Sequence, residues 1–426
     1  MRAADRGGFA DLAAPAMTRL KRARAAGVFA SAAFRQYFIG QSLSMLGDGL
    51  RLLAVPLLAY HLTHSALSTG AAFICEIVPF SIFSLVGGSL ADRIDRRRLM
   101  IGCDAIRFLV MAFFAVALWF HVLSLGMIYG GLIVISICAA AFAGGQTSSI
   151  PYLLGSKRST EAVAVLMTAE NLSFLATPVL GGAIFATFGP LPALTVNAVT
   201  YLASQISLMR IRSLGPDEPK GMPTASHLAN DIGLGFRQLW NDAGMRAQAI
   251  AGFCFNTFGY GCYAILIPFL KTTFGANDKI VGVFFGMSAA GAVVGAFFAS
   301  RLSGRWPFGR ALTIAYLIDA AAFFPVVLVR NIWLVGACWM ISNAVANFEI
   351  AQIIGFRLRV TPAEMVGRVM GAVRLFVLSG MAPGILVFGW IADHRSPLSA
   401  MWVACIGYAV IALAALATPA IRNERR

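Results

Sequence analysis

Nine ionisable side chains interrupt long apolar runs of this chain: Asp48, Arg51, Glu76, Asp104, Arg107, Glu170, Asp319, Glu349 and Arg374. At the centre of a bilayer such a group costs about 2.5–3.5 kcal/mol on insertion scales, so each needs a partner or a task. Spacing sorts them. Asp48 lies about 20 Å along a helix from Phe34, and Glu76 about 15 Å from the opposite end of the next helix, so the two fall at similar depth. Carboxylates packed together in a low-dielectric cavity favour sharing a proton, the property of a proton carrier. Arg51 follows Asp48 by three residues, and an ion pair within one helix is the competing reading. Glu170 is the next candidate for proton coupling. Asp104 and Arg107 are also three apart, near a helix end, as a structural pair would be. Glu349 and Arg374 are placed to pair as well, as an inner gate or as simple neutralisation.

The elements that must position these residues are transmembrane helices. The chain has 426 residues, 58% hydrophobic and only 12% charged, with a mean hydropathy of +0.76. That is too apolar for a soluble domain. Runs of about 20 apolar residues, each enough to cross ~30 Å of hydrocarbon, predict twelve helices. They fall at roughly 34–61, 66–91, 99–120, 124–149, 161–188, 191–211, 246–270, 279–302, 310–329, 331–356, 364–391 and 397–420. Irregular backbone cannot face lipid, so helices are the economical form for such runs. Membrane lipid is the chain's surrounding partner.

The formal charge of +15 is spread over short connections with no basic domain interleaved with aromatics, which argues against nucleic acid. Seven cysteines, scattered without a C-x-x-C pair, read as small buried hydrophobes, and no metal site or cofactor is expected. The five histidines stand mainly at helix ends, and no metalloprotease helix, nucleophile elbow or phosphate loop occurs. An enzyme is not expected. The basic N-terminal stretch lacks an apolar core leading to a cleavage site, so it is read as a tail and not as a signal peptide. Of the 34 Lys and Arg residues, 27 fall on one side of the predicted spans, while the other side has Lys271, Lys279, Arg330 and Arg395. Both termini are therefore expected in the cytoplasm.

The two halves echo each other. Residues 245–270, "MRAQAIAGFCFNTFGYGCYAILIPFL", match 34–58 in layout, with Arg246 and Pro268 falling where Arg35 and Pro56 fall. Residues 295–312 echo 88–99, and 362–384 echo 151–181. A six-plus-six duplication follows: tail 1–30, first bundle 31–212, linker 213–243, second bundle 244–420, tail 421–426. Within the linker, Leu228, Ile232, Phe236, Leu239 and Trp240 near helical spacing predict an interfacial helix.

The connection "GGSLADRIDRRRLM" (87–100) resembles the loop signature G-x-L-A-D-R-x-G-R-R of the major facilitator superfamily. Gly88, Leu90, Ala91, Asp92, Arg93, Arg96 and Arg97 fall on the pattern, and Asp95 stands where the signature has Gly. The stretch 34–70, with its Gly-Asp pair at 47–48, is similar to the opening helix of the branch that includes macrolide efflux proteins and enterobactin-type siderophore exporters. "SFLATPVLGGAI" (173–184) resembles an antiporter signature at Pro178, Gly181 and Gly182, with Ser173 and Thr177 replacing two glycines. The resemblance covers nearly the whole chain after residue 30. It implies an all-α membrane protein of two pseudo-symmetric six-helix bundles working as a monomer in the bacterial inner membrane. It also implies alternating-access export of amphipathic small molecules, drug-like or siderophore, in exchange for protons. A dedicated siderophore or metabolite exporter, an inward permease, and a non-transporting sensor or scaffold are the alternatives.

Asp92 is then a gating residue, held opposite a helix N-terminus of the other half. The arginines would hold acidic partners or lipid headgroups; a simple orientation-setting turn is the bland alternative for the basic cluster. The substrate pocket is expected at midplane between the halves, lined by Gln41 and Met45, by Phe255, Asn256 and Tyr260, and by Asn343 and Asn347. By the same architecture Asp319 is peripheral.

Overall fold

The computed structural model of the chain describes residues 28–91, 94–155, 158–211, 214, 225–302, 307–361 and 365–418, and among them regular structure is helical throughout. The first six long helices are α1 (Ala32–Thr63), α2 (Ala66–Ala91), α3 (Arg96–Trp119), α4 (Leu125–Leu154), α5 (Ser159–Phe188) and α6 (Pro190–Met209). After α7 (Ala225–Asn241) come α8 (Ala243–Phe274), α9 (Asp278–Leu302), α10 (Phe308–Leu328), α11 (Ile332–Val360), α12 (Val366–Ser379), α13 (Met381–His394) and α14 (Pro397–Ala417).

Local chemistry sets several of the ends. Ser31 caps α1 by accepting the Phe34 amide at 3.3 Å, and α1 stops where His64 turns left-handed (φ 53°). Asp95 accepts the amides of Arg97 and Arg98 at 2.9 and 3.2 Å and so starts α3. This explains an Asp where the loop signature carries Gly. Asp242 starts α8 in the same way, through Met245 N–H at 2.8 Å.

Eleven described segments are individually long and apolar enough to cross a bilayer, counting α12 and α13 as one span. The sequence predicts one unbroken helix over 364–391; the structure interrupts it for a residue at Gly380, which keeps helical torsions (φ −68°, ψ −18°). α6 is the twelfth span. Its buried face carries Asn197, Thr200, Ser204 and Ser207 among apolar residues and packs on Gly40 and Gly47 of α1, where a Cβ would collide with the side chains of Ser207, Thr200 and Asn197.

Neighbour relations repeat between the halves. α1 packs on α5 and α6 as α8 packs on α13 and α14; α4 packs on α2 and α3 as α11 packs on α9 and α10; and α3 meets α6 as α10 meets α14. These are two pseudo-symmetric bundles. They meet chiefly along two helix pairs, α5 with α9 and α2 with α13, and to a smaller extent where α2 touches α8. The expected linker helix is α7, which lies against α12, with Leu239 fully buried and Trp240 edge-on to Phe376 at 5.2 Å. Below, the face where α1 begins and α14 ends is the terminal face, and its opposite is the far face.

Candidate functional site

A cavity of about 1180 Å³ lies between the bundles, lined from α1, α2 and α5 on one side and from α8 to α12 and α14 on the other. Phe255, Asn256, Tyr260, Asn343 and Asn347 line it, while Gln41 and Met45 do not. Gln41 is turned into its own bundle, 1% exposed, where Nε2 donates to Ser204 Oγ at 3.2 Å. Both faces of α1 are needed, one for the cavity and one for α6, and residue type alone did not separate them.

Beside the cavity stands a charge cluster. Arg51 Nη1 lies 2.6 Å from Glu76 Oε1, and Nη2 lies 3.3 Å from Asp48 Oδ1. The Glu76 contact fails hydrogen-bond geometry and is an ion pair only. Tyr201 donates to Asp48 Oδ1 at 2.5 Å. The two carboxylates thus converge on one arginine, which stands between them. Tyr201 also passes its ring to Arg107, whose guanidinium sits 5.3 Å from that ring and 4.9 Å from Phe142. Arg107 Nη1 is 3.5 Å from Asp104 Oδ1.

The remaining acidic candidates are placed differently. Glu349 and Arg374 form no ion pair; Glu349 is buried at 3% exposure with Oε1 unbonded, while Arg374 is exposed. The expectation of a pair is corrected: the two side chains line one cavity from different helices without meeting. Asp319 is fully buried. Glu170 is exposed, next to the cavity-lining Asn171.

At the loop motif, Gly88 lies within α2, and Asp92 and Arg93 fall outside the described residues. Arg96 Nη1 donates to the Ser148 carbonyl at 2.8 Å and stands 5.1 Å over the Tyr152 ring. Arg97 donates to the carbonyls of Leu208 and Met209 at 3.2 and 2.6 Å, satisfying the open C-terminal end of α6. These contacts tie the loop to its own bundle.

At the far face the bundles are joined. Gly182 and Gly282 bring α5 and α9 to backbone contact: a Cβ on Gly182 would stand 2.6 Å from Gly282 Cα, and one on Gly282 2.6 Å from the Pro178 carbonyl. Gly181 faces Leu50 of its own bundle. Asp278 takes Lys271 Nζ at 2.5 Å and His61 Nε2 at 3.2 Å, and Asp393 accepts Ser65 Oγ, Ala66 N–H and Leu67 N–H at 2.6, 2.6 and 3.1 Å. Among the described residues, every hydrogen bond between the bundles is at this face. The motifs pointed to none of these five side chains. Lys271 and Arg395 stood out only as rare basic residues on that side, and nothing in the sequence pairs Asp393 with residue 66.

Two pseudo-symmetric bundles around a central cavity, sealed at one face, are the fold of a multi-pass membrane transporter. The Major Facilitator Superfamily model matches residues 37–385, and the chain belongs to that family. It is 23% identical over 400 residues to the enterobactin exporter EntS of Citrobacter koseri, covering 89% of this chain and 90% of that one. It is 21% identical over 392 residues to macrolide efflux protein A of Streptococcus pyogenes, covering 88% and 94%. Among solved structures, a bacterial homolog of the human lysosomal transporter Spinster, inward-facing and unoccupied, superposes with a TM-score of 0.70 at 14% identity, covering 92% and 98%. A bacterial homologue of the iron transporter ferroportin, inward-facing, gives 0.66 at 14% identity, covering 89% and 98%. The protein moves a small-molecule substrate and is not an enzyme.

Proposed function

We propose that this protein exports amphipathic small molecules, drug-like or siderophore, from the bacterial cytoplasm by alternating access in exchange for protons. The carrying observation is the 1180 Å³ cavity, lined by aromatic and amide side chains and closed at the far face by contacts that can part. Two exporters among its relatives support the outward direction. In this reading the chain is a monomer with both termini cytoplasmic, divided as 1–30, 31–212, 213–243, 244–420 and 421–426. Asp48 and Glu76 exchange the proton. A proton on either carboxylate removes an ion-pair partner of Arg51, which couples protonation to the packing of α1 on α2. Glu170 is the alternate carrier. Asp92 with Arg93 latches the terminal face when the cavity opens on the other side.

The test is flux in proteoliposomes under an imposed ΔpH, with candidate substrates compared. Glu76→Gln and Asp48→Asn are expected to abolish ΔpH-driven flux, and Asp92→Asn to slow it at near-normal expression. Flux indifferent to ΔpH sinks proton antiport, and flux only toward the cytoplasm makes the protein a permease.

A further inference from the structure

The two bundles treat their buried carboxylates differently. In the first, Asp48 and Glu76 share Arg51, and Asp104 has Arg107. In the second, Asp319 and Glu349 are 0% and 3% exposed, and neither has an ion pair among the described residues. Among the described residues, Glu349 Oε1 and both oxygens of Asp319 make no hydrogen bond, and Ser342 is the polar side chain beside Asp319. The two carboxylates are electrostatic neighbours. An ionised carboxylate buried without a cation is costly, so charge on this pair has to be neutralised, by a proton or by a cation that comes from outside the chain.

Glu349 lines the cavity, and its surroundings specify the form of that charge. Phe255, Tyr316, Phe323, Trp339 and Tyr408 also line it and form one connected ring cluster. Phe255 meets Tyr316 at 6.2 Å and Tyr408 at 5.2 Å, and Phe323 meets Tyr408 at 4.8 Å and Trp339 at 5.7 Å. Tyr316 and Tyr408 are within electrostatic range of Glu349. Aromatic faces attract a desolvated organic cation, and a lone carboxylate completes its neutralisation. The other charges on the cavity wall are Arg357 and Arg374. Arg357 lies eight residues further along α11, about 12 Å nearer the terminal face. The cavity thus has an acidic, aromatic patch around Glu349, with Arg357 nearer the terminal face and Arg374 on α12 without an ion pair to Glu349 among the described residues.

We propose that Glu349, backed by Asp319, is the counter-ion for a positively charged nitrogen or onium centre, and that the cavity takes amphipathic organic cations. This rests on the transporter reading above and narrows its substrate class.

Tetraphenylphosphonium and tetraphenylborate share a shape and differ in the sign of charge. Titrated separately by calorimetry into the full chain in a neutral detergent, the phosphonium is expected to bind at least tenfold tighter than the borate. Glu349→Gln should lose at least tenfold for the phosphonium and nothing for the borate, and Glu349→Asp should recover part of the loss. Equal affinity for the two ions, binding of neither, or unchanged phosphonium affinity in Glu349→Gln overturns the proposal. The wild-type comparison needs no variant, so a misfolded Glu349→Gln cannot rescue the idea. The two readings fail separately. Equal binding of the two ions together with proton-driven flux of a neutral amphiphile keeps the transporter and removes the cation site. Glu349-dependent binding of the phosphonium without flux of any compound does the reverse.

Discussion

Asp393 accepts the backbone N–H of Ala66 at 2.6 Å across the boundary between the bundles. With Ser65 Oγ and Leu67 N–H on the same carboxylate, an acid at the last turn of α13 caps the first turn of α2. It satisfies free amides and sits at the positive end of the helix dipole. Because the capped helix belongs to the other bundle, the cap must break whenever the far face opens. Asp393→Ala is expected to cost the closed state about 0.5–2 kcal/mol. Hydrogen exchange at residues 65–70 should rise accordingly; unchanged exchange would show that the cap carries no closure energy.

The Lys271–Asp278–His61 contact is the second far-face tie. Its members are only partly shielded, with side-chain exposures of 17%, 13% and 41%, so its strength should fall as salt rises. Lys271→Met and Asp278→Asn are expected to be non-additive by about 0.5–3 kcal/mol in a double-mutant cycle of thermal stability. Additive losses would mean that Lys271 and Asp278 act independently.

Gly182 and Gly181 are neighbours with different tasks. A Cβ on Gly182 meets backbone atoms of Gly282 and Asp278 at 2.6–2.7 Å, which cannot yield without moving α9. On Gly181 the nearest atom is a Leu50 methyl at 3.3 Å, the end of a flexible side chain. Gly182→Ala is therefore expected to hold the far face apart and stop flux at normal membrane insertion, while Gly181→Ala keeps most of it. Spin labels on α5 and α9 would read the separation directly.

Arg51 is the sole basic side chain paired with Asp48 and Glu76 among the described residues. Arg51→Met leaves buried carboxylate charge unpaired, a loss of about 3–5 kcal/mol. Melting in detergent should drop for Arg51→Met and recover in part when Glu76→Gln is added. A single variant as stable as the wild type would show the cluster to be neutral without its arginine.

The sequence by itself determined the spans, their number and the duplication, because lipid imposes a local demand: each crossing must be helical, apolar and long enough. It also determined that Asp48 and Glu76 share a depth, since rise per residue is a property of one helix. Facing is different. Whether Gln41 looks into the cavity or onto Ser204, whether Arg51 stays with Asp48 or also reaches Glu76, and whether Glu349 finds Arg374 all depend on surfaces that other helices supply. The cap from Asp393 to Ala66, 327 residues apart, has no local signature at all. Those choices belong to tertiary structure because a helix rotates about its axis at no cost in its own hydrogen bonds, and only packing fixes the angle.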